Sequence, residues 1–552
     1  MLETKDLCFK YPDSEDFALK DISVSVESGE FILICGETGC GKSTLLKMFK
    51  SAVTPHGELI GQVLYNGKPF ADCDEKALAC EIGYVTQNPD NQIVTDKVWH
   101  ELAFGLENLG VSQAEIKRRV AEMANYFGIQ SWYRKPVSEL SGGQKQLLNL
   151  AAVMVMRPQV LLLDEPTSRL DPIAAAEFIN IIKKLNREFG ITVIIAEHNL
   201  EEVFSLSDKV LLMKEGRTVL FDVPKTAAKN MTEKYGGKVL PELPSAVRIY
   251  SGIGLGGDCP LTVRDGKRYL SERFDGSDVT KYDGKKSDGE TAVEFKNVSF
   301  RYEKKSEDIL NGACLKVKKG EIYCLTGGNG VGKTTALKLI AGLLKQYEGK
   351  IKIFGKALKN QNPAAFGVAL LPQDPQTIFL KSRVYDDFYE YLKMIGTGEG
   401  KAKNKISEIS DKVGITSLLN RHPFDLSGGE QQKCAVAKLL LADPEILLFD
   451  EPTKGLDGES KISLGSLLKE LKSLGKTIVV VTHDIEFAAH NADTCAMLFD
   501  GEIIGGQDPH IFFAENSFYT TYANRIAYNL FPYAVTCDEV ISECKKNKSN
   551  RS

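Results

Sequence analysis

Apolar runs recur in pairs along this chain, each ending where polar residues begin. V-L-L-L-D-E-P-T from Val160 to Thr167 matches I-L-L-F-D-E-P-T from Ile446 to Thr453, and two more apolar runs end just before His198 and His483. Uninterrupted aliphatic stretches of this length suit strands buried on both faces, as in parallel sheets, with chargeable residues emerging at their C-terminal ends. Ser-Gly-Gly at 141–143 and 427–429 opens segments that read as helices beginning near Lys145 and Gln431. The pattern predicts an α/β protein. Pro224 to Tyr235 reads as a helix ended by Gly236-Gly237, and after Pro260 a polar, glycine-punctuated run to Glu290 reads as a surface linker, with a small docking subdomain before Pro260. Phe512 to Leu530 reads as an aromatic helical stretch packed on the second half, and the basic residues after it as frayed chain.

Two glycine-rich loops add chemistry. G-E-T-G-C-G-K-S runs from Gly36 to Ser43, and Gly327 precedes G-N-G-V-G-K-T from Gly328 to Thr334. Gly36, Gly39 and Gly41, like Gly327, Gly330 and Gly332, let backbone N–H groups curl round phosphates. Lys42 and Lys333 meet β/γ charge, the Ser43 and Thr334 hydroxyls ligate Mg²⁺, and Thr44 and Thr335 follow. A chain of this length holds on the order of 0.02 such loops by accident, so two copies are a real signal.

The repetition continues along the chain. Lys42 recurs as Lys333, Gln87 as Gln373, Ser141 as Ser427, Asp164 as Asp450 and His198 as His483, with offsets of 291, 286, 286, 286 and 285. Near-constant offsets mean two homologous domains in tandem. The expected boundaries are 1–225 and 291–510 for the domains, 226–290 for the linker and 511–552 for the tail. An Asp-Glu pair alone marks a solvated strand end. Beside a phosphate loop in both halves, Asp164 and Asp450 instead fit Mg²⁺ steering, and Glu165 and Glu451 fit polarisation of an attacking water.

L-S-G-G-Q from Leu140 and L-S-G-G-E from Leu426, each between a phosphate loop and an Asp-Glu strand, resemble the signature of ABC-type ATPases. The resemblance covers residues 1–225 and 291–510. It implies two P-loop nucleotide-binding domains, each a mainly parallel sheet with an antiparallel β subdomain and a helical signature subdomain. It also implies that ATP and Mg²⁺ bind in two composite sites of an intramolecular pseudo-dimer. One site would join Tyr11, Lys42, Ser43, Gln87, Asp164, Glu165 and His198 to Ser427, Gly428 and Gly429. Its twin would join Tyr302, Lys333, Thr334, Gln373, Asp450, Glu451 and His483 to Ser141, Gly142 and Gly143. Tyr11 and Tyr302 each stand 31 residues before the loop lysine, where the family stacks a tyrosine on adenine. The histidines match switch residues at the γ-phosphate, Gln87 and Gln373 match the Q-loop and contribute to the Mg²⁺ site, and Asp171 and Asp457 match a loop crossing the dimer interface. Glu197 stands before the first switch histidine in place of a threonine.

Q-N-P-D-N-Q-I-V from Gln87 and Q-D-P-Q-T-I-F from Gln373 are similar to the Q-loops of energy-coupling factor importers for vitamins, vitamin precursors and transition metals. That resemblance implies a transmembrane T component and a substrate-binding membrane subunit as partners, at the cytoplasmic face of the membrane. A tandem ATPase of a sugar importer would usually show one eroded motif set. A soluble tandem ATPase acting on ribosomes would favour a long charged helical linker.

Composition narrows the class. At 552 residues and 43% hydrophobic content the chain can bury two cores, and a net charge of -5 without a basic stripe gives no nucleic-acid signature. No apolar run approaches the ~18 residues of a membrane span. Twelve cysteines lack paired C-x-x-C spacing, which favours reduced thiols. Cys40, inside the first phosphate loop where the second has Val331, leaves two readings open. Either its thiolate faces the pocket, favoured by N–H groups and Lys42, or it points inward as an inert filler.

Overall fold

A computed structural model describes residues 1–12, 14–234, 240–274, 282, 284, 289–358 and 366–549. It divides into two compact units, Met1–Gly266 and Lys267–Ser552, each built on the same plan.

In the first unit the strands are β1 (Leu2–Lys10), β2 (Leu19–Val26), β3 (Phe31–Cys35), β4 (Glu58–Tyr65), β5 (Lys68–Pro69), β6 (Ile82–Val85), β7 (Val160–Asp164), β8 (Thr192–Ala196), β9 (Lys209–Lys214) and β10 (Arg217–Asp222). Six form one sheet in the order β10-β9-β3-β8-β7-β6, parallel except for the β9/β10 edge pair. An antiparallel sheet, β2-β1-β4-β5, packs beside it. Successive residues of the parallel strands enter two different cores, which is why these strands read as unbroken apolar runs. Leu161, Leu163, Val193 and Ile195 face one core with Phe178 and Ile182 of the helix Pro172–Phe189. Val160, Leu162 and Ile194 face the other with Leu45 and Leu46 of the helix Lys42–Met48 and with Leu7 and Phe9 of the antiparallel sheet. Helices Val98–Asn108, Gln113–Tyr126 and Gly142–Met154 make the helical subdomain.

The second unit repeats this. Its six-stranded sheet runs Val368–Leu371, Ile446–Asp450, Thr477–Val481, Ile322–Thr326, Thr494–Phe499, Glu502–Gln507, with a four-stranded antiparallel sheet around Thr291–Phe300. The α/β class and its subdomains are therefore as expected.

Several local expectations change. The signature helices begin at Gly142 and Gly428, three residues earlier than expected, because Ser141 and Ser427 cap them in reciprocal boxes with Gln144 and Glu430. The stretch expected to be linker contains the helix Val263–Ser271, with Gly266 inside it. The aromatic stretch is two helices, Pro509–Glu515 and Tyr522–Ala527, and Phe512 and Phe513 pack into the second unit's core. A last helix, Cys537–Ser549, takes in most of the basic end expected to fray. Gly236-Gly237 and the final three residues lie outside the described residues.

Candidate nucleotide sites

Each phosphate loop closes a β-strand onto a helix. Gly36 has φ 140° and Gly41 φ 106°, and a Cβ on Gly36 would lie 2.2 Å from the Met213 carbonyl oxygen. Only glycine fits so close an approach at that backbone angle. Gly327 and Gly332 repeat the geometry at φ 144° and 108°. Gly39 and Gly330 both have φ 80°, and nothing lies within 4 Å of a Cβ there. Both loops thus hold the left-handed glycine geometry that a phosphate-binding loop requires.

The loop lysines are buried and bent back over their loops. Lys42 Nζ donates to the carbonyls of Gly36 at 2.7 Å and Glu37 at 3.1 Å, and Lys333 Nζ to those of Gly327 and Gly328 at 2.9 Å each. The Ser43 hydroxyl donates to Asp164 at 2.8 Å, and Thr334 to Asp450 at 3.0 Å. Burial raises the pKa of both aspartates, while hydrogen bonds from Ser43 and Tyr84 at Asp164, and from Thr334 at Asp450, oppose it. Hydroxyl and carboxylate oxygens so arranged are hard donors of the kind Mg²⁺ uses together with water and phosphate. Among the described residues no group of three or more His, Cys, Asp and Glu is placed to hold a metal.

Glu165 and Glu451 follow these aspartates with left-handed backbones, φ 44° and 48°. That conformation is uncommon for a side chain this size and recurs where function fixes the backbone. Their surroundings differ. Glu165 receives the Gln87 amide at 2.7 Å and meets His198 Nε2 at 2.9 Å. Glu451 meets His483 Nδ1 at 2.8 Å and Lys333 Nζ at 3.1 Å. Burial works against the Glu451 charge, but His483 and Lys333 outweigh it and lower its pKa. Burial likewise opposes charge on His198, and the carboxylates of Glu165 and Glu242 overcome it, raising the pKa to about 9. Gln373 is exposed.

The tyrosines hold matching places. Tyr11 and Tyr302 pair their hydroxyls with Thr44 and Thr335 at 3.1 Å and pack edge-on against Phe9 and Phe300. Each unit thus gathers tyrosine, loop lysine, hydroxyl, aspartate, glutamate and histidine at the C-terminal ends of its interior parallel strands. Ser141 and Gly142, like Ser427 and Gly428, are exposed at the capped helix N-termini, with Gly143 and Gly429 half-buried behind them. Asp171 and Asp457 cap the helices that follow them, accepting from Ala174 N–H at 2.9 Å and Ser460 N–H at 2.8 Å.

The sequence pattern of the ABC transporter family matches residues 19–168 and 310–454, one stretch in each unit. The chain belongs to the ABC transporter family. It is a tandem ATP-binding protein of that family, and such domains hydrolyse ATP. A relative in Bacillus thuringiensis subsp. konkukian, named as an ABC transporter ATP-binding protein, is 42% identical over 98% of both chains. A solved structure of an archaeal ribosome recycling factor, aABCE1, with the stalk protein aP1 matches 92% of both chains at 22% identity and a TM-score of 0.56, a likeness of fold. The structure of cbiO1 from Clostridium perfringens, part of the cbiONQ transporter complex, is 35% identical over 42% of this chain and 94% of its own, with a TM-score of 0.38.

Three features of these ABC domains escaped the sequence. The Tyr84 hydroxyl donates to Asp164 at 2.9 Å, where the second unit has Leu370. Glu242 faces His198, and Tyr519 lies beside Thr326 and Gly327. Of the two readings of Cys40, the structure takes the inward one. The side chain is 4% exposed within a hydrophobic core, and burial raises its pKa against the pull of Lys42.

Proposed function

We propose that the chain energises an importer of the energy-coupling factor type, gripping a transmembrane T component with its two Q-loops while a separate membrane subunit selects a vitamin, vitamin precursor or metal ion. The observation that carries this is the mechanical path through the first Q-loop. Gln87 touches Glu165 at one end. Further along, Asp90 pairs with Lys145 of the signature helix at 2.6 Å, and Asn149 of that helix donates to Pro89 O at 3.2 Å. Gln92 pins the loop by accepting from Thr86 N–H at 3.0 Å and donating to Tyr84 O at 2.9 Å. A push on the loop therefore reaches the hydrolytic end and the signature helix together.

Just beyond each loop stands an apolar residue at the matching position, Val94 at 68% and Leu380 at 78% exposure. Exposed apolar side chains repeated at one place in both units suit a partner helix. The Q-loop wording and the two complete motif sets supply the rest of the reading.

In the proposed cycle ATP joins the loop of each unit to the Ser-Gly-Gly helix of the other, giving the two composite sites expected above. Lys42 and Lys333 balance β/γ charge, and loop N–H groups take the charge that develops on the phosphoryl oxygens. Glu165 and Glu451 accept hydrogen bonds from the attacking water, while His198 and His483 hold those carboxylates. A Mg²⁺ ion held by Ser43 and Asp164, or by Thr334 and Asp450, would supply further phosphate neutralisation. Hydrolysis removes the bridging phosphate and lets the halves part. Isolating the chain from its host with its companions tests the reading. Co-purification with small integral membrane proteins is expected, and sedimentation with ribosomes instead would overturn it.

A further inference from the structure

The repeat runs past the ATPase domains into segments that looked unrelated in sequence. In the first unit the helix Ser245–Ile253 is held by Glu201, whose carboxylate accepts the Ser245 N–H at 2.8 Å and its hydroxyl at 3.0 Å. In the second, Glu486 accepts the Tyr522 N–H at 2.8 Å at the start of the helix Tyr522–Ala527. Glu201 and Glu486 each lie three residues after the switch histidine, and Arg248-Ile249 recurs as Arg525-Ile526 at the same 277-residue offset as Ser245 and Tyr522. The linker helix and the tail helix are one element used twice. Each is clamped by a glutamate three residues beyond its unit's histidine.

Three residues before each clamped N–H the two copies differ chemically, with Glu242 in one and Tyr519 in the other. Glu242, its side chain 6% exposed, places Oε1 3.5 Å from His198 Nδ1, a buried nitrogen with no nearer hydrogen-bond partner among the described residues. Nε2 of the same ring then points to Glu165 at 2.9 Å. In the second unit Tyr519 instead reaches Thr326 and the Gly327 backbone, and His483 meets Glu451 through Nδ1. The two rings are presented by opposite nitrogens.

We propose that Glu242 is a positioning residue of the first site, holding His198 by Nδ1 so that Nε2 is turned to Glu165. Tyr519, at the equivalent point, lies beside the phosphate loop and offers His483 no carboxylate, so the two sites are built unequal. Charged groups around the His198 ring include Glu165, Glu242, Glu197 and Lys42, and Glu242 comes from the turn that leads into the added helix. The position of that element is therefore felt at the first site through one carboxylate.

The proposal rests on Glu165 acting in hydrolysis at the first site. The full chain with E451Q silences the second site and serves as the parent. Adding E242A or the isosteric E242Q should lower kcat about tenfold, with KM for ATP changed less than twofold, because an orienting contact is lost rather than a binding one. The alkaline limb of the kcat profile should move to lower pH as His198 loses its anionic partner, and E242D should restore part of both. A kcat within twofold of the parent for E242Q and an unmoved pH profile would overturn the proposal. So would a rise in kcat with a lower KM, which would make Glu242 an obstruction in the phosphate site. A parent no more active than the E165Q/E451Q chain would overturn the hydrolytic reading of the first site, and the positioning role with it.

Discussion

Glu197 receives the backbone N–H of Thr167 at 3.0 Å and its hydroxyl at 2.7 Å on a single carboxylate oxygen. The residue is 2% exposed, and burial raises its pKa from 4.5 to about 7, against the pull of those two hydrogen bonds. The second unit joins the same two elements with Thr453 and Thr482, hydroxyl to hydroxyl at 3.4 Å.

A pH-dependent stability follows. Between 4.5 and about 7 the folded chain holds a proton at Glu197 that the unfolded chain has released, so this contribution is fully present at low pH and is lost as pH rises through 7. Glu197→Gln keeps an acceptor for Thr167 without the charge. It should match the parent at pH 5 and exceed it at pH 8 by roughly 1–3 kcal/mol, a Tm rise of several degrees. Thermal melts at pH 5, 6, 7 and 8 check this; equal melts for the two proteins at pH 8 would remove the buried carboxylate from the account.

Two complete sets of residues predict two working sites. Glu165→Gln and Glu451→Gln, made singly, should each leave part of the steady-state ATPase activity. The double change should drop it more than about a hundredfold and trap ATP. Filter-binding of radiolabelled ATP beside a phosphate-release assay separates binding from turnover. If the double variant hydrolysed at the parent rate, water would be polarised by some other group.

What could be read from sequence was what chemistry restricts to particular residue types. The loops from Gly36 and Gly327 announce themselves because a Cβ has no room at Gly36, and the buried strands because both faces are covered. The helix starts at Gly142 and Gly428 do not show in sequence because capping by Ser141 and Ser427 lets glycine begin a helix despite its low propensity. Tyr84 was invisible because its partner Asp164 sits 80 residues away, on the adjacent strand of a parallel pair. The repeated tail element was hidden because its shared residues are few and the side chains it brings to the nucleotide end, Glu242 and Tyr519, have no chemistry in common.

Docking of a membrane partner should depend on the exposed apolar pair. Val94→Glu with Leu380→Glu places charge where a partner helix is proposed to rest, without touching either phosphate loop. Association with membranes or with co-expressed integral subunits should fall at least tenfold, while ATP binding by the isolated chain stays within twofold. Flotation of the parent and the double variant on proteoliposomes holding the purified membrane subunits measures this. Equal flotation would move the docking surface elsewhere.

The first phosphate loop contains a cysteine that ought not to react. A Cβ on Gly36 would come within 2.9 Å of Cys40 Sγ, and one on Gly327 within 3.2 Å of Val331 Cγ2, so thiol and isopropyl fill the same slot beneath the two loops. Val331 has no polar role to play there, which identifies the slot as packing space. The thiol is also held protonated by burial, and only the thiolate attacks a maleimide. Cys314, the exposed cysteine, should therefore label first, and Cys314→Ser should abolish the fast phase. Cys40 should label slowly and to the same extent with or without MgATP, and Cys40→Val should retain ATPase activity within about twofold, since its twin works with valine. Peptide mass mapping after timed quenching reads out both. Rapid labelling of Cys40 that MgATP suppresses would mean that the loop opens in solution and turns the thiol into the phosphate pocket.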